Sequence, residues 1–184
     1  TAVVSRAKRT LEYPARFMLV ASMNPCPCGN LGSKTQECKC TPSEIHRYIS
    51  KLSGPLLDRI DLQIEVDSIS YDDFRSVVAN ESSASIKARV EKARAIQRAR
   101  YEGSKTKTND EMTNAQVKTY CALDKMGEAL LKNAFTKLNL TARASTRVLK
   151  VARTIADLDA SESILSKHIA EAIQYRSLDR KYWD

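Results

Sequence analysis

The sequence predicts an α/β segment followed by an all-α bundle, and three observations carry this. Two short stretches with strand character, residues 15–22 and 62–66, lie before residue 70. A turn-rich excursion holding four of the five cysteines separates them. Beyond residue 70 the apolar residues recur at helical spacing in about five blocks. Two strands alone do not make a stable sheet. Residues 1–69 therefore read as the tail of a larger α/β unit and residues 70–184 as a helical domain. Thr1, where a complete chain carries Met, reads as the start of a piece of a longer protein.

Each element has its own warrant. "ARFMLVAS", residues 15–22, lies between Pro14 and Pro25 and is too short for a helix, so it reads as a buried strand. "TPSEIHRYISKL" reads as a helix: Pro42 and Ser43 suit its start, and Ile45, Tyr48, Ile49 and Leu52 share a face. Gly54-Pro55 breaks it. Leu62, Ile64 and Val66 then alternate with Gln63 and Glu65, which predicts a strand buried on one face. In "SSASIKARVEKARAIQRARYEG", Ile86, Val90, Ala93 and Ile96 or Gln97 follow the helical period, with Gly103 just past the end. "SKTKTNDEM" reads as a linker-like break, and "TNAQVKTYCAL" and "DKMGEALLKNAFTKL" as two further helices. The strongest pattern is "TARASTRVLKVARTIADLD", with Thr141 as N-cap and a stripe of Val148, Leu149, Ala152, Ile155 and Ala156. "SILSKHIAEAIQYRSL" closes the series with Leu165, Ile169, Ala172 and Ile173 on one face.

A net charge of +8 and a pI near 9.3 point to an acidic partner, of which nucleic acid is the usual one. A solvated basic surface stays open as the alternative. The charge concentrates between Ala84 and Lys107, where eight Lys/Arg face two acids, Glu91 and Glu102. No apolar run approaches the roughly 20 residues of a membrane span, so no membrane partner is expected. The opening "TAVVSRAKRT" has no secretory apolar stretch, which predicts a cytoplasmic, reducing setting. In such a setting paired cysteines bind metal more often than they form disulfides. Cys26-x-Cys28, nine residues, then Cys38-x-Cys40 offers four soft ligands on one loop, a predicted structural Zn²⁺ site. Reduced thiols in a surface loop are the other reading.

Three polar residues are candidates for phosphate chemistry. Asn24 follows the first strand-like run, and ligands of open α/β sheets bind beyond the carboxyl ends of strands; Asn-Pro is also an ordinary turn. Arg59 sits between Asp58 and Asp61. It reads either as a surface ion pair or as an arginine offered to a phosphate on a neighbouring subunit. Arg143 opens the strongest helix, where a cation is mildly unfavourable.

In this order the motifs resemble the AAA+ ATPases, and more narrowly the magnesium-chelatase-like family of ComM/YifB type. The matching stretches are "YPARFMLVASMNPCPCG", "CKCTPSEIHRYISKLSGPLLDRIDLQIEV", "TARASTRVLKVARTIADL" and "HIAEAIQYRSLDR". The resemblance implies an AAA+ core remnant followed by a helical lid. It implies Asn24 as sensor 1, Arg59 as the trans-acting arginine finger and Arg143 as sensor 2, with Arg147 as the competing choice. "VVSRAKRTLEYPARF" looks like the return arm of the hairpin before sensor 1, and the cysteine pairs match a Cys-rich insertion of ComM-type members. ATP and Mg²⁺ are the implied cofactors. The implied parent is a ring-forming, hexameric ATP-driven DNA translocase or branch-migration helicase in recombination or DNA uptake. A metal-insertion ATPase subunit of magnesium-chelatase type and a zinc-stabilised nucleic-acid-binding module remain as alternatives. The departure from the family is large: the chain has no G-x-x-x-x-G-K-[ST] run and no acidic Walker B cluster. These 184 residues are therefore expected not to hydrolyse ATP alone.

Overall fold

The computed structural model describes residues 1–6, 9–66, 71, 75 and 81–176. The change of character read near residue 70 and the end of "HIAEAIQYRSLDR" lie outside them.

The chain opens with an antiparallel hairpin. Strand β1, Ala2–Arg6, pairs with β2, Arg9–Tyr13, in a register running from Ala2 opposite Tyr13 to Arg6 opposite Arg9. Every residue of both strands is exposed. The strand predicted over residues 15–22 does not form: Phe17, Met18, Leu19 and Val20 are exposed in irregular backbone. A strand exists only through hydrogen bonds to a neighbour, and among the described residues this run has no strand partner; its Arg16 meets Glu111 through an ion pair instead. Residues 62–66 form no ladder either, their one described backbone bond to a distant segment being Gln63 N–H to Tyr175 O at 2.9 Å. Leu62, Ile64 and Val66 are exposed while Gln63 is half-buried, the reverse of the expected parity.

Helix α1, Pro42–Ile49, starts where the sequence places it. Its N-cap is Thr41, whose hydroxyl accepts from the Glu44 amide while the Glu44 carboxylate accepts from the Thr41 amide at 2.9 Å. This reciprocal capping satisfies amides that a short helix leaves open. Helix α2, Gly54–Leu57, is a single turn with Leu57 buried.

The helical body follows. Helix α3, Ser83–Arg100, is capped by Ser82 and ends before Gly103, whose φ of +73° suits the left-handed turn past a helix terminus. Its inward residues are Ala93 and Gln97, whereas Ile86 and Val90, expected on the same stripe, are exposed because the first half of α3 runs beyond the core. Helices α4 (Asn114–Tyr120), α5 (Lys125–Lys137), α6 (Ala142–Leu158) and α7 (Ser166–Gln174) complete the body. Its core gathers Val117, Leu140, Ala144, Val148, Ala152, Ala156, Ile164, Ile169 and Ala172, with Leu149, Ile155 and Ile173 packed at its margin. Burying each large apolar side chain here contributes about 1.5–3 kcal/mol. Thr141 caps α6 as expected, accepting from the Ala144 amide at 3.1 Å.

The segment read as a linker is part of this core. Residues Asn109–Glu111 form a 3₁₀ turn, and Asn109 is buried. Its side-chain amide donates to the Thr154 hydroxyl at 3.0 Å and to Asp157 at 2.8 Å. Its oxygen accepts from the Tyr101 hydroxyl at 2.7 Å and from Arg100 at 3.0 Å. Asp157 also holds Arg100 through both guanidinium nitrogens and Arg153 through Nε at 3.2 Å. The Asp157 carboxylate keeps the Arg100 guanidinium charged, its pKa raised against the cost of burial. Among the described residues no helix is long and apolar enough to cross a membrane.

Candidate functional site

The four clustered cysteines converge. Gly29, with φ +82°, closes a turn in which its amide donates to the Cys26 carbonyl at 3.0 Å. That turn brings Cys28 back beside Cys26, and Cys38 and Cys40 arrive from the far side of the loop. All four sulfurs lie within 4.8 Å of one another. Cys26 and Cys28 are separated by 3.4 Å, and Cys38 lies 3.7 Å from each. Four thiolates on a tetrahedral Zn²⁺ at about 2.3 Å stand about 3.8 Å apart, so the spacing fits that ion. The thiols also differ in acidity. Backbone amides of Asn30 and Lys39 pull the Cys28 thiol down to about 6. Desolvation, followed by the neighbouring sulfurs, pushes Cys40 up to about 12. Four sulfurs this close resist ionising together unless a cation compensates them. Cys121 is outside the cluster: it is buried in the helical body, and desolvation pushes its thiol up to about 11.

Asn24 stands two residues before Cys26, exposed. A Cβ on Gly29 would sit 3.8 Å from its Nδ2, so the thiol loop packs against the amide. The loop and Asn24 thus form one local unit.

Arg59 lies just past α2. Neither flanking aspartate pairs with it. Asp61 is held by Arg147 of α6. Asp58 is met by the Thr141 hydroxyl at 3.4 Å and by Arg176 at 3.5 Å. Arg176 also donates to the Ile60 carbonyl. Arg59 itself is exposed and donates to the Pro55 carbonyl at 2.5 Å. The ion-pair reading of Arg59 is therefore set aside.

The same contacts separate the two arginines of α6. Arg147 is committed to Asp61, whereas Arg143 is exposed and forms no hydrogen bond or ion pair among the described residues. Lys150, seven residues on, donates to the Asp110 carbonyl at 2.5 Å. No hydrogen bond or ion pair among the described residues joins Asn24, Arg59 and Arg143. On the basic helix α3, Arg89 pairs with Glu81 at 3.1 Å, Arg98 with Glu91 at 3.8 Å, and Arg100 turns inward. Lys87, Lys92 and Arg94 stay exposed with no carboxylate partner among the described residues.

Sequence reasoning missed Arg176, whose side chain is 1% exposed. The signal was present. Arg176 follows Ala172 and Ile173 at the helical interval, and a charge on an apolar stripe implies a buried partner. Arg153 and Asp157, four apart on the core face of α6, gave the same sign.

A helical body seated on an arginine-bearing turn and preceded by a four-thiol loop defines a mostly α-helical protein with a metal-type cysteine cluster. Family comparison makes this specific. The model described as "Magnesium chelatase, subunit ChlI C-terminal" matches residues 80–176, and that described as "Magnesium chelatase, subunit ChlI" matches residues 1–74. The chain belongs to the magnesium chelatase ChlI family, and its relatives include YifB and ComM. YifB of Escherichia coli (strain K12) is 40% identical over 178 residues, covering 96% of this chain and 34% of that protein. Competence protein ComM of Haemophilus influenzae is 38% identical over 179 residues, covering 97% of this chain and 34% of its own length. A Mycobacterium tuberculosis relative is 34% identical over 164 residues, covering 89% of this chain and 32% of its own. The chain thus spans about a third of the length of the curated relatives it matches.

Proposed function

We propose that residues 1–69 are the C-terminal part of an AAA+ core and residues 70–184 its helical lid. In this reading the intact protein is a cytoplasmic, hexameric, ATP-driven DNA translocase that drives branch migration in recombination or DNA uptake. The observation that carries it is the turn at Arg59, an exposed arginine whose two neighbouring carboxylates are engaged elsewhere. Such a cation is free to meet a phosphate on a neighbouring subunit. Asn24 reads the terminal phosphate and Arg143 the nucleotide from the lid. An amide and two exposed cations without carboxylate partners fit an anionic polyphosphate with its Mg²⁺, which supplies charge neutralisation when bound. These 184 residues hold no phosphate-cradling glycine run, so this chain alone is expected to turn over no ATP.

In the intact protein, Arg59→Ala is expected to lower ATP turnover by about 10³–10⁵ while nucleotide binding persists. Undiminished turnover overturns the assignment. The exposed Lys87, Lys92 and Arg94 support DNA as the partner. A DNA titration of this chain should weaken with salt by about 0.9 log units per log unit for each phosphate neutralised. Binding indifferent to salt, or absent, removes the translocase and leaves a metal-insertion ATPase subunit of chelatase type.

Cys26, Cys28, Cys38 and Cys40 would hold a structural Zn²⁺, which fastens the loop and neutralises its thiolates when bound. Protein purified under reducing conditions is expected to carry about one equivalent of zinc by elemental analysis. A few tenths of an equivalent or less counts against it.

A further inference from the structure

We infer that Arg147 and Arg176 are positioning residues for Arg59: they clamp the turn that carries it, so that the turn rides on the helical body. The functional meaning of the clamp rests on the reading of Arg59 as a phosphate-directed arginine; the clamp itself does not.

Apolar burial contributes little to residues 58–63, where Ile60 is only half-buried. Leu62 is exposed, Gln63 is only half-buried, and the local backbone bonds are single-turn ones, Arg59 N–H to Leu56 O at 2.9 Å and Ile60 N–H to Leu57 O at 3.0 Å. What holds the segment is polar and comes from far along the chain. Asp58 meets Thr141 and Arg176, Ile60 O accepts from Arg176, and Asp61 pairs with Arg147. The Gln63 amide donates to Tyr175 O at 2.9 Å. Arg176 donates from Nη1 to the Ile60 carbonyl and holds Nη2 3.5 Å from Asp58 as an ion pair, two contacts from one planar group that a lysine cannot make in a fixed geometry.

The clamp does two things. It fixes the backbone on both sides of Arg59 against α6 and the end of α7. It also occupies the two carboxylates that Arg59 would otherwise meet within its own turn. Arg59 is left with the Pro55 carbonyl and solvent.

Amide hydrogen exchange on this chain, followed by NMR, tests the clamp. Arg147→Ala and Asp61→Ala are each expected to speed exchange at Arg59, Ile60 and Gln63 by about three- to tenfold, with Val148, Ala152 and Ile169 unchanged. The charge swap Asp61→Arg with Arg147→Asp should restore slow exchange to within about twofold of the native rate. Arg176→Lys, gentler than an alanine at so buried a position, should speed exchange at Ile60. Unchanged exchange at 59–63 in both single variants, or acceleration there matched in the body amides, overturns the proposal. So does a swap variant no slower than the single variants, which would mean a general fold effect instead of a pairing. Arg59→Ala should leave exchange at Ile60 and Gln63 as it was. Its effect on ATP turnover in the intact protein tests the phosphate role separately, so the two readings fail by different measurements.

Discussion

In the helical body Val148, Ala152, Ala156 and Ile169 are each at most 1% exposed, whereas Phe17, Met18, Leu19 and Val20 are 62–85% exposed. Both sets are strongly apolar, and what differs is the backbone each needs. A helix satisfies its own amides and offers a finished face, so α6 and α7 pack on each other with nothing further required. A strand borrows its hydrogen bonds from a neighbour, and residues 15–22 have none among those described. The region before residue 67 buries few large apolar side chains, Ile49 and Leu57 among them, and is held mainly at points: a thiol cluster, a capping box, the Arg16–Glu111 ion pair and the aspartates at 58 and 61. One region is stabilised by area and the other by specific polar geometry.

That contrast is breakable, and the largest effect should come from the body. Asp157→Ala strands Arg100 and Arg153 beside a buried Asn109, and is expected to cost about 3–5 kcal/mol in a denaturant melt read by helical circular dichroism. A loss below about 1 kcal/mol would mean the network is dispensable. Next, Ile169→Ala should cost about 2–5 kcal/mol, and Leu19→Ala under about 0.5 kcal/mol in the same melt. Equal losses would erase the distinction between the two regions. Third, a chelator that strips the proposed Zn²⁺ from the thiol loop should shift NMR signals of residues 24–40 and leave the helical melt in place. A body that unfolds with the loop would show that the regions are one cooperative unit.

The smallest effect concerns pH. The Thr41 amide, then its hydroxyl, hold the Glu44 carboxylate below its ordinary 4.5. A lowered folded-state value means the capping contribution is complete above 4.5 and is lost as pH falls through the lowered value. The Thr41 amide shift should therefore titrate with a midpoint under 4.5, and a midpoint above it would contradict the capping geometry.

Much of this molecule is legible in its amino-acid order. The helices over 83–100, 125–137, 142–158 and 166–174 declare themselves by period, and Thr141 by its position before the first turn. The cysteine pairs announce a converging site because two close pairs on one loop have few other ways to sit. What stays hidden depends on contacts between residues far apart. Nothing local in "SKTKTNDEM" says that Asn109 will sit beneath α6, since a polar residue is buried only if distant partners meet all its groups. Nor does "LLDRID" say which arginine each aspartate will take, because Arg147 and Arg176 lie more than 80 residues away. The two expected strands fail because neither the apolar run at 15–22 nor the alternation at 62–66 reports the presence of a neighbouring strand to pair with.

The opening hairpin carries a consequence for handling the protein. Among the described residues neither strand of this ribbon pairs along its outer edge, and Val3, Val4 and Leu11 are exposed on it. Such edges recruit other ribbons, and natural chains guard them with charge. Within the two strands the charges are Arg6, Arg9 and Glu12. Self-association of concentrated samples should therefore rise with salt, as screening weakens that guard.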